Sequence, residues 1–111
     1  MTQQAPLFMS GVPELLILQL LAGREMYGYE LARAIEESTR QAISIGEGVL
    51  YPVLHSLETR GSLRARRQAT AGRTRVYYAV TPKGRKRLEQ LTGEWRRVAG
   101  GVEAVLGGAY A

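Results

Sequence analysis

With 111 residues, ten glutamates, no aspartate, no cysteine and a formal charge of +5, the chain is sized for one domain with a core of its own. The missing thiols exclude a disulfide framework and any thiolate metal site, which suits a reducing compartment and makes the cytoplasm the expected location. No basic residue precedes the apolar stretch from Leu15 to Ala22, which is far short of a membrane span, so neither export nor insertion is expected, while the positive balance favours a nucleic acid or another anionic partner.

A helix is expected over residues 13–22, where Pro13 suits a first turn, Glu14 complements the positive helix end and Gly23 suits the C-terminal cap. Its apolar residues run nearly all the way round, which calls for burial both against its own domain and against a second chain. Residues 27–38 read as an amphipathic helix with Gly28, Leu31, Ala32 and Ile35 on one face and Glu30, Arg33, Glu36 and Glu37 on the other. A linker containing Ile43 and Ile45 leads to a third helix ending near Glu58. Two starts fit it: Ser44 with Glu47 makes a capping box, and Gly46 suits a slightly later one. Leu50, Leu54 and Leu57 form its buried stripe, which leaves Glu47, Tyr51, His55 and Glu58 facing outward. Pro52 predicts a bend near Gly48 that holds the first turn apart.

A β-hairpin is expected next. Leu63, Ala65, Arg67 and Ala69 share one side of a strand, and on the return strand Val76, Tyr78 and Val80 alternate with Arg75, Tyr77 and Ala79 beyond Ala71-Gly72. From Arg60 to Arg87 there are ten basic residues and no acidic one, so no charge nearby in sequence cancels the field and a polyanion is the natural partner. A short helix running into a hairpin studded with Arg64, Arg66, Arg67, Arg73 and Arg75 is the pattern of a winged helix that reads DNA. Thr81 and Pro82 start a long final helix. Its Leu88, Leu91, Trp95, Val98, Val102 and Val105 alternate spacings of three and four, a coiled-coil seam. Gly93, Gly100 and Gly101 weaken it by about 1 kcal/mol each, so support from the first helix is expected. The fold class is therefore mainly α with a small β-hairpin. Residues 1–11 form an arm or short helix carrying Leu7, Phe8 and Met9, residues 12–81 a winged helix-turn-helix, and residues 82–107 a dimerisation helix.

Several blocks together resemble the PadR family of bacterial transcriptional regulators in its short form with one C-terminal helix. They are Leu15 to Leu21, Tyr27-Gly28-Tyr29-Glu30-Leu31-Ala32, Gly48-Val49-Leu50-Tyr51-Pro52-Val53-Leu54, Leu57-Glu58 with Gly61, Arg75-Val76-Tyr77-Tyr78, and Thr81-Pro82-Lys83-Gly84. The resemblance runs unbroken over about residues 12 to 106. It implies a homodimeric winged helix-turn-helix repressor with helix three in the major groove, the wing along the backbone and the final helix exchanged across the dimer. Val49 departs from the family pattern, which usually carries Thr or Ser there; an apolar touch on a thymine methyl replaces the hydroxyl contact.

On this reading double-stranded DNA meets Ser44, Glu47, Gly48, Val49, Tyr51, Pro52 and His55 from the third helix and its approach, and Arg64, Arg66, Arg73, Arg75 and Tyr77 from the hairpin. The plainer alternatives are a tyrosine packed on the surface for Tyr51, a solvated residue for His55 and a solvated strand edge for the arginines. Lys83, Arg85, Lys86 and Arg87 sit where the helix dipole disfavours cations, either as phosphate contacts or as solvated charge. A second copy of the chain meets Leu15, Leu18, Leu88, Leu91, Trp95, Val98 and Val102. Trp95 is either core or, as the resemblance implies, the platform for a small aromatic effector at the dimer interface, with Arg96 and Arg97 at the rim. No cofactor or metal is expected. With no Ser-His-acid set and no Gly-rich phosphate loop, an enzyme is not expected either. The competing reading is an adaptor that binds an acidic protein through the same basic face; operator, regulated gene, and repression against activation are open.

Overall fold

The computed structural model describes residues 11–108, and the expected contribution of Leu7, Phe8 and Met9 lies outside them. Seven elements follow in order: α1 (Val12–Gly23), β1 (Met26–Tyr27), α2 (Gly28–Ser38), α3 (Glu47–Thr59), β2 (Leu63–Thr70), β3 (Arg73–Val80) and α4 (Pro82–Leu106). The strands form one antiparallel sheet in the order β1-β3-β2. Tyr27 belongs to β1 and not to the second helix, contrary to expectation; a strand of two residues carries no periodicity for a sequence pattern to detect.

Helix α1 owes its all-round apolarity to its place in the chain, where it packs on α2, α3, β3 and α4. Ile17 and Leu18 are fully buried and Leu21 nearly so. Leu18 thus faces its own core and is unavailable to a second chain, contrary to expectation, and the same holds for Leu91 of α4 at 3% exposure. Leu15 remains partly exposed. Gly23 is the last helical residue rather than the cap beyond it, and Arg24 leaves in an extended conformation.

Between α2 and α3 the chain turns through Arg40 and Gln41 at positive φ. Thr39 holds the turn: its hydroxyl donates to Ile35 O at 2.7 Å and accepts from Ile43 N at 3.1 Å. Ser44 donates to the Glu36 carboxylate at 2.8 Å, so it does not cap α3 and no Ser44/Glu47 capping box forms. Gly46 is the N-cap, with no side-chain hydrogen bond to the first amides. Leu50, Leu54 and Leu57 point into the core as their spacing requires. The helix runs unbroken through Pro52, so its first turn is not a separate segment.

The hairpin turns at Ala71 and Gly72, whose φ values of 51° and 78° are both positive, as a two-residue type I′ connection needs. Its register sets Leu63 opposite Val80, Ala65 opposite Tyr78 and Arg67 opposite Val76. Leu63, Tyr78 and Val80 are buried, whereas residues 66–74 are exposed, so the base of the hairpin closes the core and its tip stands out as a wing. Thr81 caps α4 by accepting from Gly84 N at 3.0 Å while donating to Gly61 O at 2.6 Å. Along α4, Leu88, Trp95 and Val98 pack partly on the core, and Val102, Val105 and Leu106 are 51%, 64% and 74% exposed.

Candidate nucleic-acid interface

A cleft of about 610 Å³ opens between the start of α2, the outer face of α3 and the wing, lined by Tyr27, Gly28, Tyr29, Tyr51, His55, Arg73, Thr74, Arg75, Val76 and Tyr78. It brings together side chains from three separate segments of the chain, with Tyr51 and His55 of α3 facing Arg73 and Arg75 of the wing. The Tyr51 ring leans back over Gly28 and keeps part of its edge in solvent. His55 lies one turn further along α3 and is exposed. Glu47, Gly48, Val49 and Pro52 are exposed on the leading half of α3. Val49 is 49% exposed, an apolar side chain presented to solvent on the face expected to meet base edges. No side chain caps α3, whose first residues Glu47 and Gly48 are exposed at the positive end of its dipole.

The wing arginines divide into two kinds. Among the described residues no carboxylate lies within ion-pair distance of Arg64, Arg67, Arg73 or Arg75. Arg73 sits at the exposed tip, and Arg75 lies over the Tyr27 ring at 4.5 Å from its centroid. Arg66 is different. Its Nε donates to Glu25 Oε1 at 2.9 Å, its Nη2 also pairs with Glu25, and its Nη1 donates to Gln68 Oε1 at 2.6 Å. The hydrogen bond from Arg66 holds the Glu25 carboxyl below the usual carboxylate range. Tyr77 is on the outer face of the sheet, stacked edge-on against Tyr27 and under Arg66, and does not line the cleft. Ser44 is likewise outside the cleft.

The local charge excess is therefore smaller than the run from Arg60 to Arg87 implies, because acids distant in sequence fold back on it. Glu25 binds Arg66, and Glu14 accepts from Arg87 at 2.9 and 3.2 Å with Arg60 at 3.9 Å. Lys83 and Lys86 line a second hollow with Arg60, Ser62 and Arg87 that shares no residue with the cleft, and Arg85 is exposed. Sequence reasoning missed Tyr27, Gly28, Tyr29, Thr74, Val76 and Tyr78 as cleft residues. Tyr29 is 61% exposed with Arg33 donating to its hydroxyl, and an aromatic on the polar face of an amphipathic helix was the available signal. Trp95 lies on an apolar groove of about 440 Å³ with Val12, Pro13, Leu15, Leu16, Ile43 and Ile45. No helix among the described residues is long and apolar enough to cross a membrane.

A helix presented beside a protruding two-stranded wing, over a core of three further helices, is the architecture of a winged helix-turn-helix protein. The chain belongs to the PadR-like family of transcriptional regulators, whose family model matches residues 17–90. "Transcriptional regulator Rv3488" of Mycobacterium tuberculosis is 35% identical over 101 residues, covering 91% of this chain and 89% of that protein. Among solved structures, a transcriptional regulator from Clostridium thermocellum superimposes with a TM-score of 0.80 at 29% identity, over 86% of this chain and 94% of that one. A PadR family transcriptional regulator from Eggerthella lenta gives 0.78 at 27% identity, over 89% and 85%. The family and these neighbours are regulators of transcription rather than enzymes.

Proposed function

We propose that the chain is a homodimeric repressor working on cytoplasmic DNA, with residues 12–81 as the reader and residues 82–107 as the dimerisation helix. The observation that carries the reading is the cleft itself: Tyr51 and His55 on the exposed face of α3 adjoin Arg73 and Arg75 of the wing, so base edges and backbone phosphates are met side by side. Exposed Val102, Val105 and Leu106 at the far end of α4 and the groove holding Leu15 and Trp95 support a second copy as the cover for that surface. Two-fold pairing then sets two α3 helices in successive major grooves about 34 Å apart on a pseudo-palindromic operator. The apolar groove beside Trp95 supports a flat aromatic effector that alters the dimer's geometry and releases the DNA.

The test is fluorescence anisotropy of the purified protein with labelled DNA from upstream of its own gene, with scrambled duplex as competitor. Tight binding that resists the scrambled duplex and weakens roughly 10³- to 10⁵-fold between 50 and 200 mM salt fits a dimer neutralising 6 to 10 phosphates. A flat salt response removes the DNA reading and leaves the acidic-protein adaptor. Trp95 emission that stays constant across a panel of planar aromatic compounds removes the effector.

A further inference from the structure

Across the outer face of the sheet one row takes one residue from each strand: Tyr27 of β1 is in register with Tyr77 of β3, and Tyr77 with Arg66 of β2. The row is stacked throughout. The Arg66 guanidinium lies 4.8 Å from the Tyr77 ring centroid, and the Tyr77 and Tyr27 rings meet edge to face at 5.4 Å. Arg75, two residues before Tyr77 on β3, also lies over Tyr27, 4.5 Å from the centroid of that ring. Glu25, in the connection just ahead of β1, meets Arg66 of β2, its carboxylate taking both Nε and Nη2. With Nη1 given to Gln68, each of the three nitrogens of Arg66 already has an acceptor within the chain.

We infer that Arg66 is not a phosphate ligand but a positioning residue, which with Glu25 clamps the wing to the α1–α2 connection and, through Tyr77 and Tyr27, sets Arg75 in the DNA cleft. The inference rests on the DNA-reading function proposed above. Its physical basis is that a two-stranded wing protruding from the core has few buried contacts beyond Val76 to fix its angle. A bidentate carboxylate and a stacked row supply a fixed angle from outside the core. Arg75 lies over a ring whose own place is set by that row, so its guanidinium is oriented before DNA arrives.

Electrostatics alone predicts the opposite sign. Glu25 is a negative charge beside the DNA face, and if it does no more than repel phosphate, its neutralisation tightens binding. The experiment therefore uses Glu25→Gln, Arg66→Gln and the double variant in the full chain, with Arg73→Ala as the phosphate-contact control. In the free protein, Glu25→Gln is expected to speed amide exchange in residues 63–80 while α1 exchanges as in the wild type. On DNA, Glu25→Gln and Arg66→Gln are each expected to weaken operator binding severalfold, with unchanged affinity for scrambled duplex, and the double variant should be no worse than either single one. Arg66→Gln should leave the salt slope unchanged, whereas Arg73→Ala lowers it by about 0.9 for each phosphate that is no longer neutralised. Wild-type exchange rates in Glu25→Gln, tighter operator binding by that variant, or a reduced slope in Arg66→Gln each overturn the inference. A wild-type protein that binds no operator removes the DNA function, and the exchange measurement then still decides the clamp.

Discussion

Gly28 lies beneath the ring of Tyr51: a β-carbon at position 28 would stand 2.7 Å from Cζ and 2.9 Å from Cε1 of that ring. Those atoms are the far end of a side chain that keeps an exposed edge, so Gly28→Ala is relieved by swinging Tyr51 outward rather than by moving backbone. Alanine is also the better helix former. The expected outcome is a protein whose stability changes by less than about 1 kcal/mol but whose operator affinity falls, because Tyr51 no longer sits in the cleft. Thermal unfolding together with DNA titration checks this; a loss of stability that matches the loss of affinity counts against it.

Gly84 gives the opposite case. A β-carbon there meets the backbone of Ser62, 3.0 Å from its carbonyl carbon, and Cγ1 of Val80 at 2.9 Å. Ser62 is also tied by backbone hydrogen bonds to Leu57 and Thr81, so neither side can yield without disturbing the join between α3, the hairpin and α4. Gly84→Ala should destabilise the fold by about 1–3 kcal/mol, the range for overpacking a close contact. Chemical denaturation measures it directly, and an unchanged midpoint would show that α4 can shift freely on the hairpin.

Local regularities made most of the fold legible in the sequence. The Leu50, Leu54, Leu57 stripe, the Thr81-Pro82 start and the turn at Ala71-Gly72 each depend on neighbours within a few residues, so they survive in a linear reading. The site was legible only in part. Glu25 and Arg66 are 41 residues apart, and Glu14 and Arg87 are 73 apart, so a count of charge along the chain finds ten bases and none of the acids that fold onto them. Leu18 shows a related failure: an apolar residue on an all-round apolar helix reads the same whether a second chain or its own core covers it.

Glu14 is the buried end of one of these long-range pairs, 8% exposed, with Arg87 binding both of its oxygens and Arg60 close by. It joins the first turn of α1 to α4 and to the end of α3. Removing the carboxylate leaves two guanidinium groups facing each other without their shared partner, though both are partly solvated. Glu14→Gln should therefore cost about 1–2 kcal/mol, below the cost of breaking a fully buried pair. A double-mutant cycle with Arg87→Gln checks it, and additive effects would mean that the pair contributes nothing beyond its separate side chains.

The uncovered end of α4 yields a prediction about assembly. Val102 and Val105 contribute little to the core of their own chain, so Val102→Glu with Val105→Glu should leave the circular dichroism of the fold in place. If a second copy covers them, the double variant sediments as a monomer and loses operator affinity, because each half-site is then bound singly. A variant that remains dimeric places the interface elsewhere, with the groove at Leu15 and Trp95 as the next surface to alter.

Tyr78 is expected to set the alkaline limit of stability. It is 4% exposed on β3, and its pKa is raised chiefly by burial, then by the negative charge of Glu58 and by Tyr51, against a smaller opposing effect from Arg67. A raised folded pKa means that the native state holds its proton more tightly than the unfolded chain does. The contribution is therefore complete below the ordinary tyrosine value of about 10 and is lost as pH rises from there through the folded pKa. Phenolate absorbance should show Tyr78 ionising above the ordinary tyrosine value. Tyr78→Phe, which keeps the ring on the core and removes the titrating group, should abolish that step and move alkaline unfolding to higher pH. An alkaline limb identical in the variant and the wild type would assign the limit to other groups.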